Sequence, residues 1–341
     1  MDKQQRQIVK SGTKQTLYVI LSTVLSVVIA CAILWLYFYT KDYEDYFSER
    51  RGLLTSASLQ PDGGDEHTGR FWLTLENDVG LKVDCGMLVP RDTARRYPVI
   101  VLMGGKATGR YAVGYALGIR DAIIVAPDYP FDPRASYTVL EFLSDVPEIR
   151  RALLDMIPSI MLLTDYLWQR GDVDTAKILL LGYSFGAPFV PCIVVHDNRA
   201  AIAAMVYGAG ELRSLIAHNV RRYEGAAMSE FVGVLSALLL HPVEPLRYID
   251  RISPTPLLMI NGSEDEMIPR DNVELLYNAA QEPKKIIWLE SRHVHPDNPE
   301  LTRRIIDTLR AELTERRILV NWISNYSVNS VAIVLCERDR V

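Results

Sequence analysis

At 341 residues, the chain is longer than most single domains and suits one large α/β domain with an appendage. Its 37 Lys and Arg against 42 Asp and Glu leave a net charge of −5, which excludes a protein built to coat nucleic acid, because that task concentrates a basic face. A composition of 49% apolar and 23% charged residues excludes disorder as the main state, and the cysteines at 31, 85, 192 and 336 form neither a CxxC pair nor a Cys/His cluster that would hold zinc or a disulfide scaffold.

The first strong signal is a run of 23 uncharged residues from Leu17 to Tyr39. As a helix it is long enough to cross a hydrocarbon core of roughly 30 Å, with Trp35, Tyr37, Phe38 and Tyr39 at interfacial depth. We read residues 1–16 as a basic arm and 17–39 as a bilayer-spanning anchor. Lys3, Arg6, Lys10 and Lys14 precede the span, whereas acidic and basic residues mix after it, so the Lys/Arg bias predicts a cytoplasmic N-terminus and a domain on the exported face. The run is longer than a signal-peptide h-region, and no small-x-small cleavage site follows it. Val28-Ile29-Ala30-Cys31 has the form of a lipoprotein processing box, but the eight residues after Cys31 remain apolar where such boxes turn polar.

Residues 40–69 read as a charged stalk followed by a turn-rich linker, Gln60 to Gly69. The folded domain is expected over 70–323. It opens with a hairpin whose strands, Phe71–Glu76 and Leu81–Val89, flank Asn77-Asp78-Val79-Gly80. Short β-branched runs then follow at 98–103, 122–126, 177–181, 202–207, 256–260 and 285–289, the pattern of strands buried on both faces of a parallel sheet. Helical spacing appears at 146–169, 211–222, 228–240 and 274–281, and at 299–322, where Leu301, Ile305, Ile306, Leu309 and Leu313 form one stripe. Alternating strands and helices predict an α/β fold with a mostly parallel sheet. The tail, 324–341, matches no element.

The motif that carries chemistry is Gly182-Tyr183-Ser184-Phe185-Gly186. It lies between the run KILLL and the helical Ala187–Val195, at the strand-to-helix junction that a G-x-S-x-G nucleophile elbow requires. A sharp turn there forces its central residue into strained φ/ψ, glycines on either side remove Cβ atoms that would clash, and the Ser hydroxyl is left exposed at the sheet's C-terminal edge.

With this elbow, the upstream turn MGGKATG, and the downstream segments GSEDEMIP and ESRHVHP, the chain from about Phe71 to Trp322 resembles the α/β-hydrolase superfamily of serine hydrolases. The resemblance implies a triad in the chain order Ser, acid, His. Ser184 is then the nucleophile. Asp265 in the acid loop is the expected acid, preferred over Glu264 and Glu266 by its spacing to Pro269. His293 is the expected base, with His295 as the alternative, whereas His67, His196, His218 and His241 precede the acid loop and break the order. The oxyanion hole would use the backbone N–H of Phe185 and a second N–H from Gly105 or Lys106, in a turn where Met103 replaces the superfamily's usual His. Residues 208–254 occupy the place where this superfamily often inserts a helical cap, and Phe231–Leu240 within it is too short an apolar run to span a bilayer.

The expected activity is carboxylic-ester hydrolysis through an acyl-enzyme, without metal or organic cofactor, on a small-molecule acyl ester. Peptidase and thioesterase activity are variants of the same chemistry. A non-catalytic α/β-hydrolase-like membrane protein, with a binding or scaffolding role, is the alternative class, because fold alone does not fix function.

Overall fold

The computed structural model describes residues 3–105, 108–116, 119–131, 139–295 and 298–318. They form two units, one ending at Asp42 and one beginning at Tyr43. The first is a single helix, α1 (Lys3–Thr40), whose apolar stretch Tyr18–Tyr37 holds no buried residue among those described. Trp35 and Tyr39, one turn apart, stack with ring centroids 4.8 Å apart.

The stalk expected over 40–69 is corrected by the structure, because most of it is folded into the second unit. Helix α2 (Glu44–Arg51) buries Phe47 completely, and strand β1 (Leu54–Gly64) pairs antiparallel with β2 (Thr68–Asn77). Charge misled the reading: the basic residues of α2 find carboxylates on helix α3 (Val139–Gln169). Arg50 makes two bonds of 3.1 Å to Asp155, which also accepts from the Tyr46 hydroxyl at 2.5 Å, and Arg51 bonds Asp165. Burial and the Asp155 carboxylate both push the Tyr46 hydroxyl up, so it stays a neutral donor.

The remaining strands are β3 (Lys82–Pro90), β4 (Tyr97–Met103), β5 (Ile123–Pro127), β6 (Val173–Tyr183), β7 (Ile202–Val206), β8 (Leu257–Gly262) and β9 (Lys284–Leu289). They join one nine-stranded sheet in the order β1-β2-β3-β5-β4-β6-β7-β8-β9. β1 to β3 run antiparallel, and β5, β4, β6, β7, β8 and β9 are mutually parallel. Every residue of β5, β7 and β8 is buried, as strands covered on both faces must be. The hairpin and all six parallel runs lie where the sequence places them, to within a few residues at their ends.

Helix α4 (Phe189–His196) follows β6, α5 (Leu212–Arg221) and α6 (Ala226–Leu240) fill the insertion between β7 and β8, α7 (Arg270–Ala279) precedes β9, and α8 (Pro299–Glu315) follows it. Two helix lengths differ from expectation. α3 begins seven residues early and carries Pro147 and Pro158 inside it, and α8 stops at Glu315, with Arg317 in the left-handed region at φ 57°. Residues 319–341, including the tail from 324, lie outside the described residues.

In the insertion, small residues face inward: a Cβ on Gly233 would stand 2.9 Å from the Arg213 carbonyl oxygen and 3.0 Å from the Ala217 Cβ. Within the apolar run Phe231–Leu240, Phe231 and Val234 are exposed and Gly233 is buried. α6 with its following turn to Val243 also meets the length and composition of a membrane span, but in this fold it packs on α5.

The α2–α3 clasp yields a stability prediction. Arg50→Ala leaves the buried Asp155 carboxylate with the Tyr46 hydroxyl as its only remaining partner from α2, and is expected to cost about 3 kcal/mol in urea denaturation of the full chain.

Candidate active site

Ser184 follows the last residue of β6 and has φ 50°, a left-handed conformation costly for a side-chain-bearing residue. Ser184–Gly186 form one 3-10 turn, closed by the Ala187 N–H donating to the Ser184 carbonyl at 3.0 Å, before α4 starts. Two close approaches hold this turn. A Cβ on Gly186 would lie 2.3 Å from the Met103 carbonyl oxygen, and one on Gly182 would lie 2.6 Å from the Ala187 Cα. The glycines are there because β4, β6 and α4 converge too closely for any side chain.

Three loops at the C-terminal ends of the parallel strands bring the expected residues together. His293, after β9, places Nε2 3.0 Å from Ser184 Oγ. Its Nδ1 lies 2.7 Å from Asp265 Oδ2, on the loop after β8. Asp265 Oδ1 accepts from the backbone N–H groups of Met267 at 2.8 Å and Ile268 at 3.0 Å, leaving Oδ2 for the imidazole. A carboxylate only accepts, so Nδ1 carries the ring proton and the Nε2 lone pair faces the Ser184 hydroxyl. The Asp265 side chain is 2% exposed and that of His293 11%, so the chain of bonds is largely shielded from water.

The alternatives have other surroundings. Glu264 is exposed, and Glu266 pairs with Arg292 at 3.0 Å. Its own backbone N–H, chiefly, with that of His293 and the Arg292 guanidinium, holds the Glu266 carboxyl below the usual range. His295 is exposed and lines the mouth of a cavity beside Ser184. His196 bonds the Cys192 carbonyl, and His218 bonds that of Glu266. Together with the Asn219 bond to the Met267 carbonyl at 2.7 Å, this last contact ties cap helix α5 to the acid loop.

The turn after β4 lies against the elbow, since Met103 is the register partner of Gly182. Gly104 and Gly105 line the same cavity as Ser184, and the space around the Gly105 Cα is open. Lys106, the other candidate donor, lies outside the described residues. Met103, where the superfamily usually has His, is fully buried and serves as packing.

Two residues of this site escaped the sequence reading. Tyr129, just beyond β5, donates its hydroxyl to the Gly104 carbonyl and sets its ring edge-on to Phe185 at 5.0 Å. Burial pushes that hydroxyl up, so it remains a donor. Tyr207, directly after β7, adopts φ 54°, bonds Ser291 through its hydroxyl at 2.5 Å and lays its ring edge-on to His293 at 5.5 Å. The available signal was position: both tyrosines stand at the C-terminal ends of parallel strands, where sites in open α/β sheets collect. Among the described residues no group of three or more His, Cys, Asp or Glu is gathered to hold a metal. Cys85 and Cys192 are buried thiols, Cys192 pushed up to about 12 by its burial.

Comparison with known proteins agrees with this architecture. Residues 145–305, which include Ser184, Asp265 and His293, match the family model described as Serine hydrolase (FSH1). Over 126 residues the chain is 30% identical to YfhR of Escherichia coli O157:H7, covering 37% of this chain and 41% of that protein, and over 159 residues it is 30% identical to Rv2307c of Mycobacterium tuberculosis, covering 46% and 51%. The matched segment therefore spans about half or less of these curated relatives, whose names assign no activity. Among solved structures, the acetyl xylan esterase of Paenibacillus sp. R4 superposes with a TM-score of 0.60 at 16% identity, covering 78% of this chain and 93% of that one. Acetyl xylan esterase 1 of Thermoanaerobacterium gives 0.58 at 13% identity, covering 79% and 94%. The chain has the α/β-hydrolase fold, and the family match supports a hydrolase.

The elbow's packing can be tested directly. Gly186→Ala must push the end of β4 and the elbow turn apart, and is expected to destabilise the domain by about 2 kcal/mol in chemical denaturation.

Proposed function

We propose that this α/β-hydrolase is a membrane-anchored serine esterase that cleaves small-molecule carboxylic esters through an acyl-enzyme. The observation that carries the reading is the unbroken chain of hydrogen bonds from Ser184 Oγ to His293 and on to Asp265. His293 Nε2 takes the Ser184 proton as Oγ attacks the acyl carbonyl carbon. Asp265 holds the reactive tautomer and stabilises the imidazolium, which then returns the proton to the leaving alkoxide; water, activated by the same His293, releases the acid and frees Ser184.

The carbonyl oxygen becomes an oxyanion, and the backbone N–H groups of Phe185 and Gly105 are our candidates to receive it. Tyr129 acts on this hole at one remove, by fixing the Gly104 carbonyl and thereby the peptide plane that precedes Gly105. Tyr207 and Ser291 act likewise on the His293 loop. No step calls for a cofactor.

The test is labelling of the full-length protein with a fluorophosphonate. Wild type is expected to carry the mass shift on the Ser184 peptide, and Ser184→Ala to carry none. Asp265→Asn is expected to lower kcat on p-nitrophenyl acetate about 10⁴-fold while leaving the fold intact. His293→Ala should lose activity to a similar degree, with His295→Ala within a few-fold of wild type. A well-folded wild type that takes no label would instead favour a binding protein.

The exposed apolar stretch of α1 supports anchoring through residues 17–39; the Lys/Arg excess before the span favours a cytoplasmic N-terminus with the hydrolase domain on the exported face. In membranes prepared from expressing cells, the full chain is expected to resist extraction by alkaline carbonate. A chain starting at Lys41 is expected in the soluble fraction, and finding the full chain there too would remove the anchor.

A further inference from the structure

We propose that the cavity between the sheet and α8 receives the acyl chain of a medium-length, unbranched aliphatic ester, a substrate class that rests on Ser184 being the nucleophile. The cavity measures about 180 Å³ and opens beside Ser184. Its floor is the sheet face carrying Ile100 and Leu102 of β4 with their register partners Leu179 and Leu181 of β6, and its wall is the α8 stripe of Ile305 and Leu309.

The cavity follows from chain topology. Gly182, between Leu181 and Tyr183, points to the opposite face, where α4 meets it. Among the described residues, the α8 face is covered between β4 and β5 by a single 3-10 segment, Gly109–Ala116, in place of a full crossover helix. A gap is therefore left over the central strands, lined mostly by aliphatic side chains, with Thr108, Tyr115, Tyr183 and Thr302 among them. Apolar voids beyond the size of a water molecule are rare in folded cores because their lining forfeits packing contacts. This one continues from the nucleophile, which identifies the occupant: the part of an ester that enters with its acyl carbon at Ser184 Oγ.

Size and shape set the class. The volume is a little above the roughly 150 Å³ apolar void that holds a benzene ring, so it takes a chain of about six to eight carbons, and the lining of α8 from Thr302 to Leu313 extends about 16 Å at 1.5 Å per residue. An acetyl group would leave most of this space empty, and a charged or hydroxylated acyl group would find few partners in it. The cap contributes none of the residues lining this cavity among those described, so acyl-chain selection falls to the sheet and α8.

The test compares kcat/KM for p-nitrophenyl esters from acetate to dodecanoate, using the full-length protein in detergent. For wild type, kcat/KM is expected to rise roughly four-fold per added methylene, the value of burying one CH₂, up to a chain of about six to eight carbons. Leu309→Phe, which fills the cavity, should lower the octanoate-to-acetate ratio at least ten-fold, and Leu309→Ala should move the optimum to longer chains. If Leu309→Phe does not fold, Ile306→Phe, at a less buried point of the same lining, makes the same ratio test. A wild-type profile that falls from acetate onward, or a ratio that none of these variants moves, overturns the proposal. Failure of the underlying reading looks different: no ester is hydrolysed at any length and Ser184 takes no fluorophosphonate.

Discussion

The site depends on how closely the end of β4 approaches the turn that leaves β6. Met103 and Gly182 are register partners, and the Met103 carbonyl sits where a Cβ of Gly186 would be. This contact closes the turn so tightly that Ser184 is held at φ 50°, and a strained residue persists only where its surroundings over-determine it. The same contact sets Gly104 and Gly105 beside Ser184. A looser junction would relax the serine and at once separate it from the N–H groups proposed to face its oxyanion, so the proposed nucleophile and hole are one packing solution.

The second half of the site is supported differently. Asp265 and His293 stand on loops, and loops need external ties to hold a geometry to within a few tenths of an ångström. Backbone N–H groups of Met267 and Ile268 fix the carboxylate from its own turn. The His293 loop is held by Tyr207 through Ser291 and the ring contact, and by Arg292 on Glu266. The cap adds a further tie, since α5 bonds the carbonyls of Glu266 and Met267. Any motion of the cap is thus coupled to the acid loop through two hydrogen bonds.

Much of this was legible in the sequence, for definite reasons. The parallel strands are continuous apolar runs because neither face meets bulk solvent, and the elbow and acid loop are short motifs whose function depends on local backbone shape. The α2–β1 segment was misread because its charge suggests a solvated stalk; the partners that bury that charge, Asp155 and Asp165, lie more than a hundred residues away and declare nothing locally. Tyr129 and Tyr207 were missed for the same reason. Each acts on a loop distant in sequence, so only the strand order reveals what it touches.

The sheet order also explains why a cavity lies beneath the site instead of above it. β4 sits between β5 and β6, so the connection from β5 to β6 must cross over it, and the long helix α3 does so. The connection from β4 to its neighbour β5 has only a single strand spacing to cover, and is satisfied by a short 3-10 segment. Among the described residues, that economy leaves aliphatic side chains of these two strands uncovered on the α8 side, directly below the strand end that carries Ser184. β4 and β6 therefore present Ser184 at their C-terminal edge and line the cavity with their side chains, so the geometry of the candidate nucleophile and the dimensions of the cavity are set by the same pair of strands.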